Sequence, residues 1–95
     1  MKDLNISVKK WFDKVNGNTY FAALITIDNK ESILLPFQYG YGSQWEQEAK
    51  AVLTQQNRIS CEYGQNLKNY CKENNIYYSY QVYDNCKKSE LKQLK

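Results

Sequence analysis

Thr19-Tyr20-Phe21-Ala22-Ala23-Leu24-Ile25-Thr26-Ile27 is apolar on both faces of any strand it forms, and two clusters of turn formers, Asn16-Gly17-Asn18 and Asp28-Asn29-Lys30, bracket it. A short apolar run between turn signals reads as a central strand. The first cluster tolerates positive φ, as a tight hairpin requires. Upstream, Leu4, Ile6 and Val8 alternate with Asn5, Ser7 and Lys9, the period of a half-buried strand, which Trp11 and Phe12 extend. Downstream, Ser32-Ile33-Leu34-Leu35 begins a third strand. Pro36 has no N–H for a ladder, so it places that strand at an edge or a bulge. Three such strands in succession make an antiparallel meander.

At Ser43-Gln44-Trp45-Glu46 the spacing of serine and glutamate fits a capping box. The helix it opens runs to about Gln56. Trp45, Ala49, Val52 and Leu53 form one apolar stripe, with Trp45 as a core anchor, while Gln47, Lys50 and Gln55 face water. A second helix is expected over Gln65 to Glu73, with Leu67, Tyr70 and Cys71 on one side and Asn74-Asn75 as its stop. Ile76 to Tyr83, rich in tyrosine and β-branched residues, reads as a fourth strand: Ile76, Tyr78, Tyr80 and Val82 share one face and Tyr77, Ser79, Gln81 and Tyr83 the other. The expected fold is α+β, a three-stranded antiparallel meander with one or two helices packed on one face and a fourth C-terminal strand, in a single domain over residues 1–95. Residues 1–86 carry nine Lys/Arg against nine Asp/Glu, so the net charge of +3 sits entirely in residues 87–95, which read as a basic, solvated C-terminal tail with at most a final helical turn.

The chain contains no histidine, which removes the imidazole base or ligand that the commonest nucleophile and zinc sites use. Cys61, Cys71 and Cys86 are odd in number and lack a CxxC pair, so they read as reduced packing residues rather than a disulfide framework or zinc site. Glu46 and Glu48 point to different helix faces, and Asp13 and Asp28 sit at hairpin ends where aspartate serves the turn. No catalytic residue, metal or cofactor is expected. No apolar stretch approaches the ~20 residues that span a bilayer, and residues 1–5 lack the run of a signal peptide. A cytoplasmic location without membrane contact is the expectation.

Pro36-Phe37-Gln38-Tyr39-Gly40-Tyr41-Gly42 admits two readings: a binding surface of tyrosine anchors, or a strand that bends through two glycines into a helix with its aromatics packed inward. It lacks the spacing of a phosphate loop. Together with Trp11-Phe12-Asp13, Asn16-Gly17-Asn18-Thr19-Tyr20-Phe21, Tyr63-Gly64-Gln65-Asn66-Leu67 and Tyr70-Cys71, this run resembles a group of small, uncharacterised proteins encoded by phages and prophages. The resemblance covers most of the chain. Such proteins tend to end in a basic turn, whose place Lys87-Lys88 takes, although Asn85-Cys86 departs from the pattern. The resemblance implies a non-enzymatic accessory protein of the host cell cytoplasm that binds a host protein or ribonucleoprotein complex. Counter-defence factors, including anti-CRISPR proteins, are of this size and origin.

Tyrosine offers large contact area at small entropic cost, which makes Tyr39, Tyr41, Tyr77 and Tyr83 candidate partner contacts, with Lys87 and Lys88 beside them. The alternative is a small nucleic-acid-binding module that uses the sheet face and basic tail, with weak affinity that falls steeply with salt. Exposed tyrosines on a strand also permit edge pairing, so both monomer and homodimer are open.

Overall fold

The computed structural model describes residues 1–62 and 64–94. Tyr63, part of the resemblance, and Lys95 of the basic tail lie outside the described residues. Strands β1 (Asp3–Asp13), β2 (Asn18–Ile27) and β3 (Glu31–Tyr39) precede helices α1 (Gln44–Gln55) and α2 (Leu67–Glu73), then strand β4 (Tyr77–Tyr83) and helix α3 (Lys88–Lys92). The sheet order is β3-β2-β1-β4. The first three strands are the antiparallel meander, whereas β4 joins β1 in parallel. The α1–α2 segment is the crossover that a parallel pair needs.

Each connection has a local cause. In the first hairpin Gly17 lies at φ 70° and its amide donates to the Asp13 carbonyl at 2.7 Å. In the second, Asp28 and Asn29 take φ of 52° and 55°, and the Asp28 carboxylate accepts the amides of Lys2 and Asp3 at 2.7 and 2.9 Å. Those amides hold the Asp28 carboxyl below its usual range. In β3, Leu35 pairs with Ala23 but Gln38 with Phe21, so one extra residue bulges at Pro36 and Phe37. Pro36 therefore occupies both an edge strand and a bulge. Both longer helices stop in the same way. Asn57 and Asn75 adopt left-handed φ, and the next amides, of Arg58 and Ile76, reach back to the carbonyls of Leu53 and Cys71.

The core lies between one sheet face and α1–α2. Leu4, Ile6 and Val8, with Phe21, Ala23, Ile25, Ile27 and Leu35, meet Trp45, Ala49 and Leu53 of α1 and Leu67 and Cys71 of α2. Ile59, from the α1–α2 connection, completes it. The expected Trp45 anchor is buried, its ring 5.1 Å from that of Tyr80.

Two expectations need correction. The capping box does not form: Ser43 makes no side-chain cap, and Glu46 instead accepts a hydrogen bond from the Tyr78 hydroxyl at 2.6 Å. A partly buried phenol needs an acceptor more than an exposed helix end, which water can satisfy. Nor is the described part of the basic tail, residues 87–94, simply solvated. Lys88–Lys92 fold into α3 against β1, β2 and β3, on the sheet face opposite α1 and α2, with Leu91 only 2% exposed. Leu91 is the buried residue of this basic run, and Lys88 and Lys92 lie over the rings of Trp11 and Phe37 beside it. Among the described residues, no helix is long and apolar enough to cross a membrane.

Candidate functional site

Because strand side chains alternate, the register fixes what lies on the face away from the core. It is a stack of cross-strand rows. Tyr39, Tyr20 and Trp11 form the first, and Ala22, Lys9 and Tyr83, with Phe37 of the bulge, form the second. Leu34, Leu24, Ser7 and Gln81 make the third, and Ser32, Thr26, Asn5 and Ser79 the fourth. Asp3 beside Tyr77 ends the face.

Helix α3 lies over Trp11 and Phe37 in the first two rows and leaves Tyr39 and Tyr83, at the two edges, exposed. Trp11 and Tyr20 stack at 5.5 Å between centroids, Tyr20 and Phe37 at 5.1 Å, and Tyr39 meets Tyr20 edge-on at 5.8 Å. Onto this platform α3 lowers Lys88, 5.5 Å from the Trp11 centroid, and Lys92, 5.6 Å from that of Phe37. An ammonium over a ring is attracted by the ring's quadrupole. Ala22 is fully buried beneath. Lys10, on the other face, donates through Nζ to the Gly42 carbonyl at 2.6 Å.

No residue of the third and fourth rows is buried, and neither row contains a charged residue. Asn5 Nδ2 donates to Ser79 Oγ at 2.9 Å, tying β1 to β4 within the fourth row. Tyr77, 68% exposed, and Tyr83, 49% exposed, flank these rows on β4, and Leu34, 47% exposed, stands at the opposite edge. Tyrosine amid serine, threonine, asparagine and glutamine is the composition of surfaces that recognise proteins with rigid aromatic anchors and adaptable hydrogen bonds.

The structure thus brings Tyr39, Tyr77 and Tyr83 to one face, with Tyr39 at one edge and the β4 pair at the other. Tyr41 lies apart in the β3–α1 connection, exposed. Lys88 is placed over the aromatic platform. Lys87 precedes α3, where its backbone amide donates to the Glu90 carboxylate at 2.6 Å. Of the Phe37-to-Gly42 run, Phe37 packs beneath α3 while Tyr39 and Tyr41 stay exposed, so each reading holds for part of it. Gly40 has a steric reason: a Cβ there would sit 2.7 Å from Phe21 Cε1. Asn5, Ser7, Ser32, Leu34, Ser79 and Gln81 were missed as site residues. Alternation in β1 and β4 marks most of them, but only the register aligns them.

Several titratable groups elsewhere are buried or hydrogen-bonded. Burial pushes the Cys71 thiol up to about 11, and it raises Cys61 as well. Burial and the hydrogen bond to Glu46 raise the Tyr78 phenol. The Asn16 side chain holds the Asp13 carboxyl below its ordinary value, and Arg58, paired with Glu31, does the same there. An open groove of about 750 Å³ runs between α1 and residues 61–62 and 64–67; Lys50, on its wall, donates to the Gln65 carbonyl. Among the described residues no cluster of three Cys, Asp or Glu side chains is spaced to hold a metal ion.

The chain matches no protein-family model, no curated protein and no solved structure. Its site is therefore defined by geometry alone.

One expected outcome arises from Cys71. The thiolate is the reactive form, so native protein at pH 8 should be alkylated by iodoacetamide last at Cys71, with full labelling only in denaturant. A folded-state value above the ordinary ~8.5 means that the neutral thiol is favoured by folding. That stability is fully present below pH ~8.5 and is lost as pH rises through about 11. Melting curves from pH 7.5 to 10.5 should show the decline, and Cys71→Ala should lessen it. Peptide mapping that finds Cys71 labelled first would contradict this placement.

Proposed function

We propose that this chain is a non-enzymatic binding protein whose uncovered sheet face, the third and fourth rows with Tyr77, Tyr83 and Leu34, docks on a protein surface. The observation that carries the reading is the absence of charge from those two rows beside exposed tyrosines. A phosphate backbone is held by Lys and Arg, so a face built for nucleic acid places cations among its aromatics. Here the cations lie over the other, covered half, where Lys88 and Lys92 rest on rings that would otherwise stack bases. Nucleic-acid binding is the second reading, favoured only by the nearness of Lys9, Lys88 and Lys92 to Trp11 and Phe37. The resemblance to phage accessory proteins supplies the setting: a factor of the host cytoplasm that binds a host protein complex, of the counter-defence type, by occlusion rather than catalysis.

A tagged pull-down of the full chain from bacterial lysate, with and without nuclease, tests the reading. A stoichiometric protein that survives nuclease is the expected result. Recovery that collapses once nucleic acid is digested would overturn it in favour of the second reading.

A further inference from the structure

Among the described residues neither edge strand, β3 nor β4, pairs with a further strand, and the two edges are built differently. The β3 edge carries Pro36, a bulge and the charged Glu31, each a device that discourages another strand from adding to it. The β4 edge has none of these. Tyr77-Tyr78-Ser79-Tyr80-Gln81-Val82-Tyr83 contains no charge, no proline and no glycine, its register with β1 is unbroken, and it is made of residues with high strand preference. A seven-residue strand of this kind left unpaired is a template for another strand.

The hydrogen-bonding parity of β4 is fixed by its ladder with β1. The Tyr77 amide donates to the Lys2 carbonyl at 2.9 Å, so the backbone groups of Tyr77, Ser79, Gln81 and Tyr83 face β1. Those of Tyr78, Tyr80 and Val82 point outward from the sheet. Past β4 the chain turns inward, the Cys86 amide reaching the Lys10 carbonyl, so it does not cross this edge.

We propose that β4 pairs with β4 of a second copy of this chain, antiparallel and centred on Tyr80, to join two sheets into one of eight strands. The sequence is self-complementary in that register. Tyr80 meets Tyr80 and Tyr78 meets Val82 as pairs that exchange both backbone hydrogen bonds, giving about six bonds between copies, all from the outward-pointing groups. On the face away from the helices Tyr77 meets Tyr83 twice and Ser79 meets Gln81 twice. Aromatic cross-strand pairs stabilise a ladder, and no like charges are opposed anywhere along it. The two-fold axis stands perpendicular to the sheet, as a closed isologous dimer requires. Tyr77, Tyr80 and Tyr83, exposed by 68%, 52% and 49%, are the side chains this contact covers. The contact shares Tyr77 and Tyr83 with the proposed docking face, which in the dimer runs on across the β4 seam because the two-fold axis keeps both uncovered faces on one side.

Sedimentation of the native chain from ~1 µM to ~1 mM should show the mass rising to twice that of the chain, a weak and reversible association. Tyr80→Lys and Tyr80→Glu should each remain monomeric over that range, since each opposes like charges on the axis, and an equimolar mixture should restore the doubled mass. Circular dichroism checks that both variants fold. Amide exchange of the unmodified protein provides a second measurement: Tyr78, Tyr80 and Val82 should gain protection as concentration rises, while Ser79 and Gln81 stay unchanged. A native chain that is monomeric throughout, or a concentration-independent exchange rate at Tyr80, would overturn the proposal, as would a dimer that persists in Tyr80→Lys.

Discussion

Phe21→Ala is expected to destabilise the fold by about 3–5 kcal/mol, a large part of what holds a domain of this size together. Phe21 is buried in β2 on the core face, and its ring reaches the residue just past β3, where Gly40 leaves room for it. The two positions should be energetically coupled. In the native background Gly40→Ala brings a methyl to 2.7 Å from Phe21 Cε1 and should cost about 1–3 kcal/mol through overpacking. With Phe21→Ala already in place that clash is gone and only the Gln44 side chain, 3.1 Å from the added methyl, must give way, so the added cost should fall clearly below that in the native background. Urea denaturation of the four proteins in the cycle measures this. Additive losses would mean that the ring does not occupy the space beside Gly40.

Leu91→Asp should release α3 from the sheet. Leu91 is the buried residue of a five-residue helix, far below the length at which a helix is stable by itself, so docking and folding of α3 are one event. A carboxylate cannot take that buried place without a partner. The expected loss is about 2–5 kcal/mol, the range for deleting a buried leucine. The main core, on the other face, should persist. The indole N–H signal of Trp11 in an NMR spectrum should shift toward its free position as Lys88 and the helix leave, while that of Trp45 should hardly move. An unchanged Trp11 signal together with unchanged stability would contradict the docked helix.

These two residues also show how far the sequence could be read. Phe21 sits in a run whose apolar character on both faces marks it as central, and the turn formers beside it define both hairpins. Once three strands are placed, the alternation in β1 divides Leu4, Ile6 and Val8 from Asn5, Ser7 and Lys9, so the core face was legible too. The parallel pairing of β4 was not, because residue type is nearly silent on strand direction and α1–α2 is long enough to return the chain either way. Leu91 was hidden for another reason. Its neighbours are lysines, whose charge reads as solvation, yet each lysine has an apolar stem and a cation that a ring can attract. The Trp11, Tyr20 and Phe37 cluster that receives them is assembled from three strands, and its proximity exists only after folding.

Of the site, the exposed tyrosines of β4 were legible from the strand's excess of aromatics over what one core face needs. Glu46 was misjudged because the local capping pattern ignores the Tyr78 hydroxyl, 32 residues away, which competes for the same carboxylate. Row membership, and with it the uncharged surface formed by Asn5, Ser7, Ser32, Leu34, Ser79 and Gln81, depends on the register across four strands. A shift of one residue in any pair would have moved these side chains to the opposite face.

In the proposed function the uncharged half of the sheet face, and not the lysines over its aromatic half, holds the partner. Capture from nuclease-treated bacterial lysate should be compared for the native chain, for Leu34→Arg, which adds a charge to the uncovered rows far from the β4 edge, and for Lys88→Gln/Lys92→Gln. The native chain and the double lysine variant should retain the partner, and Leu34→Arg should recover at least tenfold less of it. Retention by Leu34→Arg with loss from the lysine variant would contradict it.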